Sequence, residues 1–224
     1  MGPVRAVSIE ALLGRRPSGR EAEAAPDIVW WDGPLGPAVV RPLVAVVGSP
    51  ETPSALAATS WAARSLAARG PAVAGCTFRP LDRAALHVAM ATRELSAVGI
   101  SPSPVQDLAG DDPFLRMALS EAGLLLSPSP PLDYRVDAAA ADSLLALLAD
   151  AVVVVSSTGR DGATAAARTA LRLGRPVWVW KDAFEDPGAD WARALEGEGA
   201  RRLDVRGVDI LMAELARRRF RTPN

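Results

Sequence analysis

Short, unbroken apolar runs alternate along this chain with longer stretches rich in alanine and leucine. The runs are residues 43–47 before Gly48-Ser49, 72–74 before Gly75, 95–98 before Gly99, 124–126 before Ser127, 152–155 before Ser156 and 177–180 before Lys181. Strands covered by helices on both faces read this way, as continuous Val/Leu/Ile rather than as alternating apolar and polar positions. Between them, residues 55–69, 82–93, 113–122, 137–148 and 162–173 carry strong helix formers. Gly70-Pro71 and Gly174-Arg175-Pro176 punctuate two of these ends. The pattern predicts an α/β fold, a doubly wound and mainly parallel sheet with helices on both faces. Ligand sites in such a sheet lie in the loops at the carboxyl ends of the strands.

The ends of the chain are built differently. Residues 1–27, rich in Gly, Pro, Ala and charge, are expected to form a flexible leader, and residues 28–183 the core. Ile28-Val29-Trp30-Trp31 suits a docked hairpin or edge strand. Residues 184–224 are expected to form a helical extension packed on the core, with helices near 191–196 and 208–219. Two polar loops, 100–112 and 127–131, each follow a strand and can share one rim.

Composition narrows the class. With 224 residues, 49% hydrophobic, the chain can bury a core without metal or disulfide staples. The single cysteine, Cys76, reads as a small residue packed after a strand. No apolar stretch reaches the roughly 18–20 residues of a membrane span, and no secretory apolar core follows Met1, so no membrane partner and a cytoplasmic location are expected. Lys+Arg 25 against Asp+Glu 26 argues against a broad phosphate-binding surface, though not against a local patch. The densest cationic cluster, Arg217-Arg218-Arg219 with Arg221, also suits a helix carboxyl end.

The most site-like stretch is residues 156–164. It combines a strand end, the hydroxyls of Ser156, Ser157, Thr158 and Thr164, Gly159 and Gly162, and Arg160. Backbone N–H groups at such a helix start, flanked by hydroxyls, can hold a phosphate; equally, the segment can be plain turn chemistry with Asp161 as N-cap. It lacks the Lys-Ser/Thr pair of a Walker A loop. Gly48-Ser49-Pro50 lacks the further glycines of a dinucleotide fingerprint. The lone histidine, His87, sits among Leu86, Val88 and Met90 and reads as core or half-buried. With no second histidine or cysteine cluster, no metal site and no cofactor are expected.

The order of landmarks resembles the Rossmann-like domain of the DNA-processing protein A (DprA/Smf) family, within a wider group that includes the LOG-type nucleotide phosphoribohydrolases. Residues 44–49 are similar to that family's strand and Gly-Ser opening. Ala74-Gly75 and Asp82-Arg83-Ala84-Ala85 fall where its next glycine and its Asp-led helix stand. Gly99 is similar to its glycine turn, and residues 122–127 resemble its Gly-x-Leu-Leu-Ser segment. Residues 147–155 resemble its Ser-Asp-Ala-Val block, with Gly162, Ala167, Ala170 and Gly174-Arg175 continuing the register. Glu198-Gly199-Ala200 and residues 208–211 are similar to its tail.

The departures fall on the family's polar side chains. Pro50 replaces the Arg after Gly-Ser, Phe78 or Arg79 occupies the loop of its second Arg, and Leu86 stands at its His. Ala141-Asp142-Ser143 replaces Arg-Asn-Arg, Ser156 replaces Glu, and Asp161 replaces Ser. Losing those cations is expected to weaken binding of single strands by orders of magnitude.

The resemblance implies a non-enzymatic protein of DNA processing or recombination that engages single-stranded DNA or a RecA-type recombinase, as a homodimer. Arg79, Arg83, Arg160 and Arg168 would be the replacement cations, converging on one face. An alternative is a small-nucleotide sensor using Gly48, Ser49, Gly75, Thr77, Gly99 and the 156–164 loop. Two others are a divergent nucleotide hydrolase, for which the 157–164 loop carries only an echo of the LOG motif, and a degenerate paralogue serving as a protein-interaction subunit.

Overall fold

The structure, a computed structural model, describes residues 5–34, 42–107, 112–133, 135–186 and 188–219. In chain order the elements are β1 (Arg5–Ser8), α1 (Ile9–Leu13), α2 (Gly19–Ala24), β2 (Ile28–Asp32), β3 (Leu43–Gly48), α3 (Pro53–Ala68), β4 (Ala72–Cys76), α4 (Pro80–Thr92), β5 (Ala97–Ile100) and α5 (Pro113–Ala122). There follow β6 (Leu124–Ser127), α6 (Ala138–Leu148), β7 (Ala151–Ser156), α7 (Gly162–Arg172), β8 (Val177–Trp180), a 3-10 turn (Lys181–Phe184), α8 (Asp190–Gly197), β9 (Arg201–Leu203) and α9 (Gly207–Arg219).

The described strands form one nine-stranded sheet in the order β1-β2-β6-β5-β4-β3-β7-β8-β9. Pairing is parallel from β6 through β9 and antiparallel only where β2 joins β6 and β1 joins β2. The chain leaves β3 toward β4, β5 and β6, then returns to β7 on the other side of β3. The carboxyl ends of β3 and β7 therefore border the topological switch point, where open α/β sheets place their ligands. The Ser49 N–H donates to the Ser156 carbonyl at 3.0 Å and knits the two ends together.

Alternation along the buried strands feeds two apolar layers. Ala45, Val47, Ala74, Val152 and Val154 pack with α6 and α7; Val44, Val46, Val73, Val153 and Trp178 pack with α3, α4 and α9. Small residues such as Ala58, Ala62, Ala85 and Ala89, all buried, let α3 and α4 lie close to the sheet and to each other. Thr52 caps α3 by accepting from the Ala55 N–H, with Pro53 at the first helical position, where its missing N–H costs nothing.

Several expectations are revised. Leu95 takes a positive φ of 54° in a turn, so β5 starts at Ala97 and Gly99 lies inside the strand; Gly75 likewise lies inside β4. Residues 5–24, read as leader, carry β1, α1 and α2. The anchor is buried Glu21, which accepts from Arg15 at 2.7 Å twice, from the Ser18 N–H and from Arg175 at 2.8 Å. The carboxyl-terminal extension is not purely helical, because β9 adds a strand beside β8. His87 is exposed, its ring 3.8 Å from Asp112, since it falls on the outer face of α4 opposite Leu86 and Ala89. Arg221 and residues 108–111 of the first polar loop lie outside the described residues. No described helix is long and apolar enough to cross a membrane.

Candidate functional site

At the switch point the chain gathers charge and then neutralises it. Asp82, in the first turn of α4, is fully buried. Its Oδ1 accepts the Gly48 N–H at 3.1 Å and its Oδ2 the Cys76 N–H at 2.9 Å, so one carboxylate holds the ends of β3 and β4. Arg79, at the N-cap of α4 and 5% exposed, donates from Nε and Nη2 to the same Oδ2 at 3.0 and 2.7 Å. Its Nη1 crosses to Asp142 on α6, the other layer of the fold, where the Cys76 thiol also donates at 3.4 Å.

Burial opposes the Arg79 charge, but Asp82 and Asp142 hold its pKa well above the ordinary arginine value. Burial raises Asp142, with Arg79 pulling it back, and burial drives the Cys76 thiol far up. This cysteine is therefore a neutral, inert thiol.

The start of α7 closes the crevice from the other side. A Cβ on Gly162 would lie 2.5 Å from Asp142 Oδ2 and 2.7 Å from Arg79 Nη1. Only glycine lets the helix begin against the ion pair. Gly48 is equally tight, a Cβ there meeting Val155 at 2.6 Å and Leu81 at 2.7 Å.

Of the two readings of residues 156–164, the geometry gives the N-cap. Asp161 Oδ1 accepts from the Thr164 N–H at 3.1 Å and from the Ser157 hydroxyl at 2.7 Å; Oδ2 accepts from the Thr158 N–H at 2.6 Å and its hydroxyl at 3.0 Å. The Gly159 N–H, at φ +82°, turns back to Ser157 Oγ at 2.9 Å. Burial works against this carboxylate, yet the Thr158, Ser157 and Thr164 donors hold its pKa below the usual aspartate value. Asp161 thus takes up the Thr164 N–H, one of the donors available at this helix start.

The remaining residues picked out from sequence divide. Gly48, Ser49, Ser156, Ser157 and Gly162 do meet at the switch point. Thr77 is fully buried and its N–H donates to the Ile100 carbonyl at 2.9 Å, while Gly75 and Gly99 are packed strand interiors. The four arginines do not converge. Arg79 is spent internally, Arg83 lies half-buried on α4, and Arg168, on α7 across the sheet from α4, pairs with Glu198 just after α8. Arg160 is exposed beyond the end of β7. Two further cations, Lys181 directly after β8 and Arg206 shortly after β9, are exposed on the same edge. For Lys181, its place just past the 177–180 run was the signal that could have found it; Arg206 follows a strand that the sequence pattern does not announce.

The model of the family described as DNA recombination-mediator protein A matches residues 17–214. The chain belongs to that family. Among solved structures, DNA processing protein A from Helicobacter pylori, reported for its single-stranded DNA binding mode, matches with a TM-score of 0.76 at 18% identity, over 94% of this chain and 96% of that one. DNA processing protein A (DprA) from Streptococcus pneumoniae matches with a TM-score of 0.73 at 20% identity, over 93% and 73%. A molybdenum cofactor binding protein from Rippkaea orientalis has a TM-score of 0.55 at 16% identity, over 79% and 98%. At such identities these likenesses speak to the fold alone, and they establish the DNA recombination-mediator scaffold as Rossmann-like. Comparison with curated proteins by sequence gives no match.

Proposed function

We propose that this member of the family is a non-enzymatic, cytoplasmic binding protein of DNA processing and recombination that engages single-stranded DNA at the carboxyl edge of its sheet. The observation that carries the reading is the family match across residues 17–214, which spans every strand from β2 to β9. A binding role is supported by the state of the acids at the crevice. Asp82 and Asp142 are held by Arg79, and Asp161 by its own loop, so none is poised to move a proton. The strand would run over Arg160 and Arg83 rather than into the crevice. Assembly as a homodimer and contact with a RecA-type recombinase belong to the same proposal.

The test is fluorescence anisotropy with a labelled single-stranded oligonucleotide at low and moderate salt. Each phosphate contact contributes about −0.7 to the slope of log K against log salt. Arg160→Ala should weaken binding and flatten that slope. No binding by the unaltered protein at low salt overturns the reading, and displacement of the oligonucleotide by AMP, ATP or a cyclic dinucleotide transfers the function to a small-nucleotide sensor.

A further inference from the structure

Beyond β7, the carboxyl ends of β8 and β9 border an open groove of about 610 Å³. Its walls include Lys181 and Phe184 of the 3-10 turn, Glu185 just after it, Arg202 on β9, Arg206 just before α9 and Ile210 in its first turn. The Arg202 guanidinium lies over the Phe184 ring, 4.1 Å from its centroid. Its edge is fixed by Glu196, with Nε to Oε1 at 2.7 Å and Nη2 to Oε2 at 3.0 Å. One face rests on the ring and one edge on the carboxylate. The side chain is nevertheless 58% exposed, so what remains open is the second face of a plane already held in place. Guanidinium planes held in this way accept stacked nucleobases.

The charges beside that plane are unequal in their commitments. Lys181 and Arg206 are exposed, and neither forms an ion pair among the described residues. Asp204, also in the wall, already accepts the Gly207 N–H at 2.7 Å and caps α9. Glu185 is exposed on the wall and opposes an anion there. Ile210, 55% exposed, offers an apolar flank. Trp178 also lines the groove, 3% exposed, and its indole N–H has no hydrogen-bond partner. That nitrogen is sealed from solvent, so Trp178 enters the groove as an apolar wall.

We propose that this groove binds a nucleotide, its base stacked on the outer face of Arg202 beside Ile210 and its phosphate between Lys181 and Arg206. The nucleotide is either free or one unit of a single strand, and the second source rests on the DNA-binding reading above. In that case Arg160, Lys181 and Arg206 follow the carboxyl ends of β7, β8 and β9, neighbouring strands about 4.8 Å apart.

The experiment is a titration of the full chain with AMP and, separately, with a labelled oligothymidylate. The Lys181→Glu/Arg206→Glu double variant should weaken whichever probe binds by about tenfold or more, and Glu185→Gln should tighten it by about threefold, because the two changes move the local charge in opposite directions. All three positions are exposed, so circular dichroism and the melting temperature should not move. AMP binding that follows this sign pattern identifies a free nucleotide as ligand, and oligothymidylate binding alone that follows it identifies a strand. Absence of binding by both probes, or affinities indifferent to both variants, overturns the groove. If Arg160→Ala abolishes oligonucleotide binding while the groove variants do not affect it, the groove is overturned and the DNA-binding reading stands.

Discussion

The crevice between β3 and β7 and the groove beyond β8 and β9 lie on one edge of one sheet and have opposite electrostatic characters. In the crevice Arg79 is buried and answered by Asp82 and Asp142, and the amino end of α7 is answered by half-buried Asp161. In the groove Lys181 and Arg206 remain in water without partners among the described residues, and Arg202 is held flat with one face open. The difference teaches that a cation's place in the fold decides its availability. Taking a guanidinium out of water is costly unless carboxylates surround it, and those carboxylates then exclude any other anion. Charge held in solvent costs little and stays available.

The sharpest way to break this comparison is Arg79→Met. Removing one partner of a buried ion pair leaves Asp82 and Asp142 uncompensated, and the expected loss is about 3–5 kcal/mol, read as a fall in the urea midpoint. Lys181→Glu, by contrast, should stay within about 0.5 kcal/mol; equal losses at both positions would sink the distinction.

A buried carboxylate far from the ligand edge provides the next test. Glu21 has its pKa lowered from 4.5 to about 2, first by the hydrogen bonds from Arg15, against the cost of burial, with Ser18 adding to the effect. Because the folded value is the lower one, its stabilisation is complete above the ordinary glutamate range and is lost as pH falls toward about 2. At about 1.4 kcal/mol per unit this amounts to roughly 3 kcal/mol. Glu21→Gln should remove it at neutral pH and flatten the acid limb of a stability-against-pH curve. An unchanged acid limb would mean that burying a carboxylate among arginines contributes nothing here.

The smallest of the three effects is expected from Gly162→Ala, which sets a methyl group against Asp142 and Arg79. Overpacking of this kind costs about 1–3 kcal/mol. Thermal denaturation should show it, and a variant as stable as the parent would mean that the crevice has slack the packing does not suggest.

What could be read from sequence followed the physics of burial. β3 through β8 were legible because strands covered on both faces must be apolar throughout. β9, whose first two residues are Arg201 and Arg202, was not, because an edge strand owes no such debt to the core. The amino-terminal helices carried a legible sign, Ser18 with Glu21 three residues on, the spacing of a capping box; it was outweighed by the Gly, Pro and charge around it. At the site, Gly48, Asp82 and Gly162 could be placed in order. That Arg79 turns inward could not, since its second partner, Asp142, is 63 residues away and nothing local distinguishes a buried arginine from an exposed one.

The contact between Glu21 and Arg175 joins residues 154 apart along the chain. On a ribosome adding roughly 5–20 residues per second, Glu21 is made on the order of 8–30 s before its partner. The segment before β2 can complete this contact only once α7 and the turn into β8 have emerged.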